Sequence, residues 1–152
     1  MGSRYQGKPH EMRALDAYIK LLRATRTVSA RLDKALAGDG LTETQLGVLE
    51  ALLHLGALCQ RELGQKLCTS GANMTSVVDN LERRELVRRV RDAEDRRYVS
   101  VHLTSGGKSL IERVFPRHVA GIVEALSALS PEEQRLLDSL CKKLGTSSEV
   151  AA

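Results

Sequence analysis

Residues 91–104 read Arg-Asp-Ala-Glu-Asp-Arg-Arg-Tyr-Val-Ser-Val-His-Leu-Thr, and no other stretch constrains the fold as much. Val99, Val101 and Leu103 alternate with Ser100 and His102, the two-residue period of a half-buried strand. A polar turn with charge of both signs precedes that strand, and residues 86–90 supply a second one upstream. The remainder is rich in Leu and Ala with few β-branched runs, so the hairpin is set in a mainly helical chain. The expected fold class is therefore mainly α with a small β-hairpin. Between positions 83 and 97 seven Arg stand against four acids, a local excess of three positive charges. An arginine-tipped hairpin behind a polar-faced helix implies a surface fitted to a nucleic-acid groove.

At 152 residues the chain suits one domain, taken as 1–152, long enough to bury its own core. Aromatic residues are 3% of the total, so that core must be aliphatic. A net charge of +4 is compatible with a polyanionic partner. Three cysteines at irregular spacings cannot complete a disulfide framework, which points to a reducing, cytoplasmic setting. No apolar run approaches the roughly 20 residues of a membrane span, and the first ten residues lack the apolar stretch of a signal peptide. His10, His54, His102 and His118 show no paired metal-ligand spacing. No Ser-His-Asp arrangement, glycine-rich phosphate loop or carboxylate pair stands out, so neither enzymatic activity nor a cofactor or metal is expected.

Apolar residues at helical spacing predict a long helix over 11–37, stopped by Gly38-Asp39-Gly40. Thr42 and Gln45 form a capping-box pattern that opens a second helix to about Leu55. A short helix follows at 60–67, then Cys68-Thr69-Ser70 leads into a helix over 71–85. Three helices joined by brief turns are the skeleton of a helix-turn-helix. Another long helix is expected from Thr104 to about Leu129, kinked or divided by Pro116. Ser130-Pro131-Glu132-Glu133 is a helix start, and Gly145 is expected to close that last helix. The segments 11–37 and 104–145 thus bracket a winged helix-turn-helix lobe over 42–103. Each carries more apolar stripe than a small core can use, the mark of a subunit interface, so they are read as dimerisation helices of a two-fold homodimer.

In the helix over 71–85, Met74, Val77, Val78 and Leu81 form a core-facing stripe. The other side carries Gly71, Asn73, Ser76 and Asn80, with Thr75 beside them. Short uncharged side chains let a helix approach base edges: Asn pairs bidentately with adenine, and Ser and Thr donate, accept or touch a thymine methyl. Ser70, the expected cap, and Thr69 before it lie at a helix N-terminus whose dipole suits a phosphate. Arg96 and Arg97 occupy the hairpin turn, where guanidinium groups favour a narrow, negative minor groove. Asp95 has the spacing to hold Arg97 in a planar fork, and Asp92 to brace the other side of the turn. Arg83, Arg84, Arg88 and Arg89 divide between phosphate contacts and plain surface charge, and the sequence does not separate them. The candidate DNA-binding set is Thr69, Ser70, Gly71, Asn73, Thr75, Ser76, Arg83, Arg96 and Arg97, with Asp92 and Asp95 orienting the wing.

The stretch from about residue 57 to 110 closely resembles the MarR family (multiple-antibiotic-resistance regulators). The matching residues are Gln60 through Leu67, Asn73-Met74-Thr75, Val78 through Arg83, Asp95-Arg96-Arg97, and Val101 through Thr104 with Gly107. The resemblance implies a homodimer on a pseudo-palindromic duplex, with two recognition helices in successive major grooves and wings in the flanking minor grooves. It carries over Asp95 as the orienting acid and Arg97 as the minor-groove arginine. It also implies a repressor released by a small aromatic effector or by thiol oxidation. His54 is the candidate for an effector pocket. Cys59, Cys68 and Cys141 leave a thiol-switched regulator as an alternative, although none lies in the first helix, where oxidant-sensing members often keep theirs. Family members commonly hold Thr and Gly at the positions of Cys59 and Cys68. A winged-helix module for protein–protein interaction is the other alternative.

Overall fold

A computed structural model describes residues 4–95 and 97–147. Arg96 lies outside the described residues. The order of elements is α1 (Pro9–Ala37), α2 (Glu43–Leu55), β1 (Leu58–Cys59), α3 (Gln60–Lys66), α4 (Gly71–Arg83), β2 (Val87–Arg91), β3 (Val99–Leu103), α5 (Ser105–Ala125) and α6 (Pro131–Ser147). The strands form one antiparallel sheet in the order β1-β3-β2. The hairpin runs in register from Val87 opposite Leu103 to Arg91 opposite Val99. Leu58 and Cys59 add the third strand against Val101 and Ser100, an element too short for alternation to reveal.

Local chemistry sets the helix starts. Gln45 donates its backbone N–H to Thr42 Oγ1 at 3.2 Å, and Thr42 returns its own N–H to Gln45 Oε1 at 3.0 Å. Thr104 and Ser130 cap α5 and α6 in the same way, each side-chain oxygen accepting from the amide three residues on. Such caps contribute about 1 kcal/mol each. Helix α5 is not divided at Pro116, and α6 is not closed at Gly145. Helix α5 runs through the exposed Pro116 to Ala125, although the proline leaves the Glu112 carbonyl without its helical N–H partner. Helix α6 continues past Gly145, with Thr146 Oγ1 donating to the Lys142 carbonyl at 3.0 Å in its last turn.

The core is aliphatic and lies within the lobe and its floor. Leu49, Leu63, Met74, Val78, Leu81, Val101 and Ile111 are fully buried, bringing α2, α3, α4, β3 and α5 together. A buried side chain of this size stabilises by about 1.5–3 kcal/mol. Gly107 makes the closest approach: a Cβ there would stand 2.0 Å from the Leu86 carbonyl oxygen, so only glycine lets α5 start beside β2. Arg117 Nη2 lies 2.9 Å from both carboxylate oxygens of Asp39, tying α5 to the end of α1. By contrast, every described side chain of α6 is exposed, and no described helix is long and apolar enough to cross a membrane.

Candidate nucleic-acid interface

Helix α4 buries Met74, Val78 and Leu81 and turns Gly71, Asn73, Thr75 and Ser76 to solvent. Its N-terminus is capped by Ser70 Oγ, which accepts from the Asn73 amide at 3.3 Å. Thr69 is half-buried and donates its hydroxyl to the Leu67 carbonyl at 3.1 Å, holding the turn between α3 and α4. Ser76 and Thr75 each donate to a carbonyl one turn back. One residue of the expected face points elsewhere. Asn80 is half-buried, and its Oδ1 accepts from Gln45 Nε2 at 2.9 Å, so it ties α4 to α2.

The hairpin turn is organised by its two aspartates. Asp92 Oδ1 accepts from the amides of Glu94 (2.8 Å) and Asp95 (2.9 Å), which holds its carboxyl below the usual range. Asp95 Oδ1 accepts from the Arg97 amide at 3.0 Å and from Arg97 Nε at 3.4 Å. The planar fork is thereby corrected to one nitrogen on one oxygen. An exposed contact of this kind contributes little stability, but it orients a guanidinium whose side chain is 94% exposed.

Geometry now separates the arginines. Arg84 Nη1 donates to the Gly40 carbonyl at 2.7 Å and serves the fold. Arg89 is the hub of a polar network: Nη2 to Asp79 at 2.6 Å, Nη1 to Glu82 at 2.6 Å, Nε to Gln60 Oε1 at 2.8 Å, and its amide to Glu82 at 2.8 Å. Partial burial works against the Arg89 charge, and the hydrogen bonds and charges of Asp79 and Glu82 outweigh it, raising the guanidinium above its ordinary value. Arg83, Arg88 and Arg91 are exposed and form no ion pair among the described residues. Arg89, read from sequence as a phosphate contact or plain surface charge, is instead paired within the protein, and Gln60 had been given no role of its own. The available signal was Asp79 and Glu82, one turn apart on α4, a pair of acids that needs a basic partner.

Behind this surface, between α2 and α5, a cavity of about 350 Å³ is lined by Glu43, Leu46, Glu50, Leu67, Phe115 and His118 among others. His54, the candidate from sequence, is exposed and sits edge-on to Phe115 with ring centroids 6.2 Å apart; the histidine lining the cavity is His118. Cys59 is half-buried, and Cys68 and Cys141 are exposed, all as free thiols.

A helix-turn-helix carried on α3 and α4 with a hairpin wing beside it defines a winged helix-turn-helix, DNA-binding transcription regulator. The MarR family sequence model matches residues 41–99. The chain is 34% identical over 137 residues to the HTH-type transcriptional regulator MhqR of Bacillus subtilis (strain 168), covering 90% of this chain and 94% of that one. BpsR of Bordetella bronchiseptica, solved to explain regulation of its DNA binding by 6-hydroxynicotinic acid, superposes with TM-score 0.79 at 27% identity, covering 85% and 98% of the two chains. Sco3205 of Streptomyces coelicolor, a MarR family regulator solved in complex with DNA, shares the fold with TM-score 0.82 at 23% identity over 95% and 91%. The chain belongs to the MarR family.

Proposed function

We propose that this protein is a homodimeric repressor that reads a pseudo-palindromic duplex and is released by a small aromatic ligand. The observation that carries the reading is the pairing of an uncharged, exposed α4 face with Arg97 held outward at the wing tip. In this reading Gly71, Asn73, Thr75 and Ser76 meet base edges in the major groove. Thr69, Ser70 and Arg83 meet phosphates, and Arg96 and Arg97 enter the flanking minor groove, with Asp92 and Asp95 shaping the wing. Dimerisation is supported by apolar side chains that one protomer leaves exposed: Tyr18 and Leu21 on α1, Val123 on α5, and Leu136, Leu140 and Leu144 on α6. Two-fold pairing of those helices spaces the α4 helices for half-sites about one duplex turn, roughly 34 Å, apart.

Ligand release is supported by the cavity between α2 and α5 and by likeness to BpsR. A ligand seated there favours a dimer in which the α4 helices no longer match successive grooves, and affinity falls by population shift. Titration of the protein into a labelled duplex from its own upstream region, across a salt series, tests the reading. Binding that weakens steeply with salt, with a dimer in light scattering, is the expected result. Absence of salt-sensitive binding would leave the interaction-module alternative in its place.

A further inference from the structure

We propose that Arg89 and Gln60, which lie behind the reading face, lock the Thr75 hydroxyl as a hydrogen-bond acceptor and so make it select amino-bearing bases. The inference rests on the proposed reading of duplex DNA by α4 and adds a specificity device to it. Arg89 has donors only, so its Nε contact at 2.8 Å must use the Gln60 carbonyl oxygen. That contact decides which way the Gln60 amide faces, and it turns the NH₂ group toward Thr75. Gln60 Nε2 then donates to Thr75 Oγ1 at 3.1 Å. The hydroxyl proton is directed to the Gly71 carbonyl at 3.0 Å. A hydroxyl has one proton and two lone pairs. With the proton and one pair engaged, Thr75 presents a single lone pair outward, next to its methyl group.

In the major groove, adenine N6 and cytosine N4 are donors, whereas guanine offers O6 and N7 and thymine offers O4, all acceptors. The locked hydroxyl therefore favours adenine or cytosine over guanine or thymine on the strand it faces. The lock is held firmly. Arg89 is anchored on α4 by Asp79 and Glu82, with its side chain only 23% exposed, so the wing strand, α3 and the reading helix share one network. Arg89 and Gln60 act through Thr75 and are positioning residues.

The test is selection from a randomised duplex library by the full-length protein and four variants, with thermal unfolding of each. The parent is expected to prefer amino over keto bases about three- to tenfold at one symmetric pair of positions, the worth of one hydrogen bond. Thr75→Val should abolish that preference and leave the other positions unchanged. Gln60→Ala, which frees the hydroxyl to rotate, should reduce it to below about twofold at the same positions while binding and melting stay near the parent. Arg89→Met should do likewise with lower stability, and Arg89→Lys, which keeps a donor for Gln60, should restore the preference. The relay is overturned if Gln60→Ala retains the amino preference, if it weakens all sequences alike, or if the parent selects thymine or guanine there. A parent protein that binds no duplex removes the underlying function as well, a result distinct from these.

Discussion

The helix-turn-helix lobe and the helices that bracket it solve opposite problems with the same kinds of residue. In the lobe, apolar stripes from α2, α3, α4 and β3 meet inside one chain, and Arg89 finds Asp79, Glu82 and Gln60 within the same protomer. In α6, Leu136, Leu140 and Leu144 keep half or more of their surface in solvent, and no described side chain of that helix is buried. One region is packed within a single copy; the other leaves apolar surface in solvent. In the proposed dimer, each copy would hold its own reading face, and the contact between copies would set the spacing between the two faces.

The largest expected effect strikes the self-contained side. Gly107→Ala forces a methyl group onto the Leu86 carbonyl and should cost about 3 kcal/mol or more, read as a fall in the denaturation midpoint. Next, Leu140→Glu should leave the lobe folded and dissociate the dimer, each lost buried leucine being worth about 1.5–3 kcal/mol and counted twice by symmetry; a variant that still elutes as a dimer would move the interface elsewhere. Within the reading surface, Asn73→Ala should relax sequence preference by about 1–3 kcal/mol. Arg97→Ala should instead lower affinity across sequences and reduce the salt slope by about one, with fold and dimer unchanged. If Arg97→Ala binds like the parent, the wing does not enter a groove.

Smaller effects sharpen the same contrast. Cys68 adopts a left-handed backbone with φ +50°, which costs an L residue roughly 1–2 kcal/mol. Cys68→Gly relieves that strain against glycine's greater unfolded freedom and should stabilise by about 0.5 kcal/mol; Cys68→Val should destabilise. The smallest effect concerns Glu82, whose carboxyl is held below its usual 4.5, first by the Arg89 amide. Its folded value is depressed, so its contribution is complete above 4.5 and is lost as pH falls through the folded value. Glu82→Gln should flatten that acid limb in a pH series of melting temperatures.

Much of the fold was legible because its signals are local. The α4 stripe, the Thr42 and Ser130 caps and the β3 alternation all operate within a few residues. What escaped depends on distance along the chain. Arg84, Arg88 and Arg89 look alike in sequence, yet Arg84 meets a carbonyl 44 positions away and Arg89 an amide side chain 29 positions away, while Arg88 is left exposed. Asn80 was expected beside Asn73; it shares that helical phase, but two turns further along α4 it meets Gln45 on α2. Strand β1 is visible only through its pairing with β3.

By itself the order of residues determined the helices, the hairpin and the uncharged face of α4, because periodicity and capping are short-range properties of a chain. Which arginine became a hub, which asparagine became a brace and which hydroxyl received the Gln60 amide was decided only by tertiary structure. A donor acquires a role from the acceptor it meets, and those acceptors come from other elements.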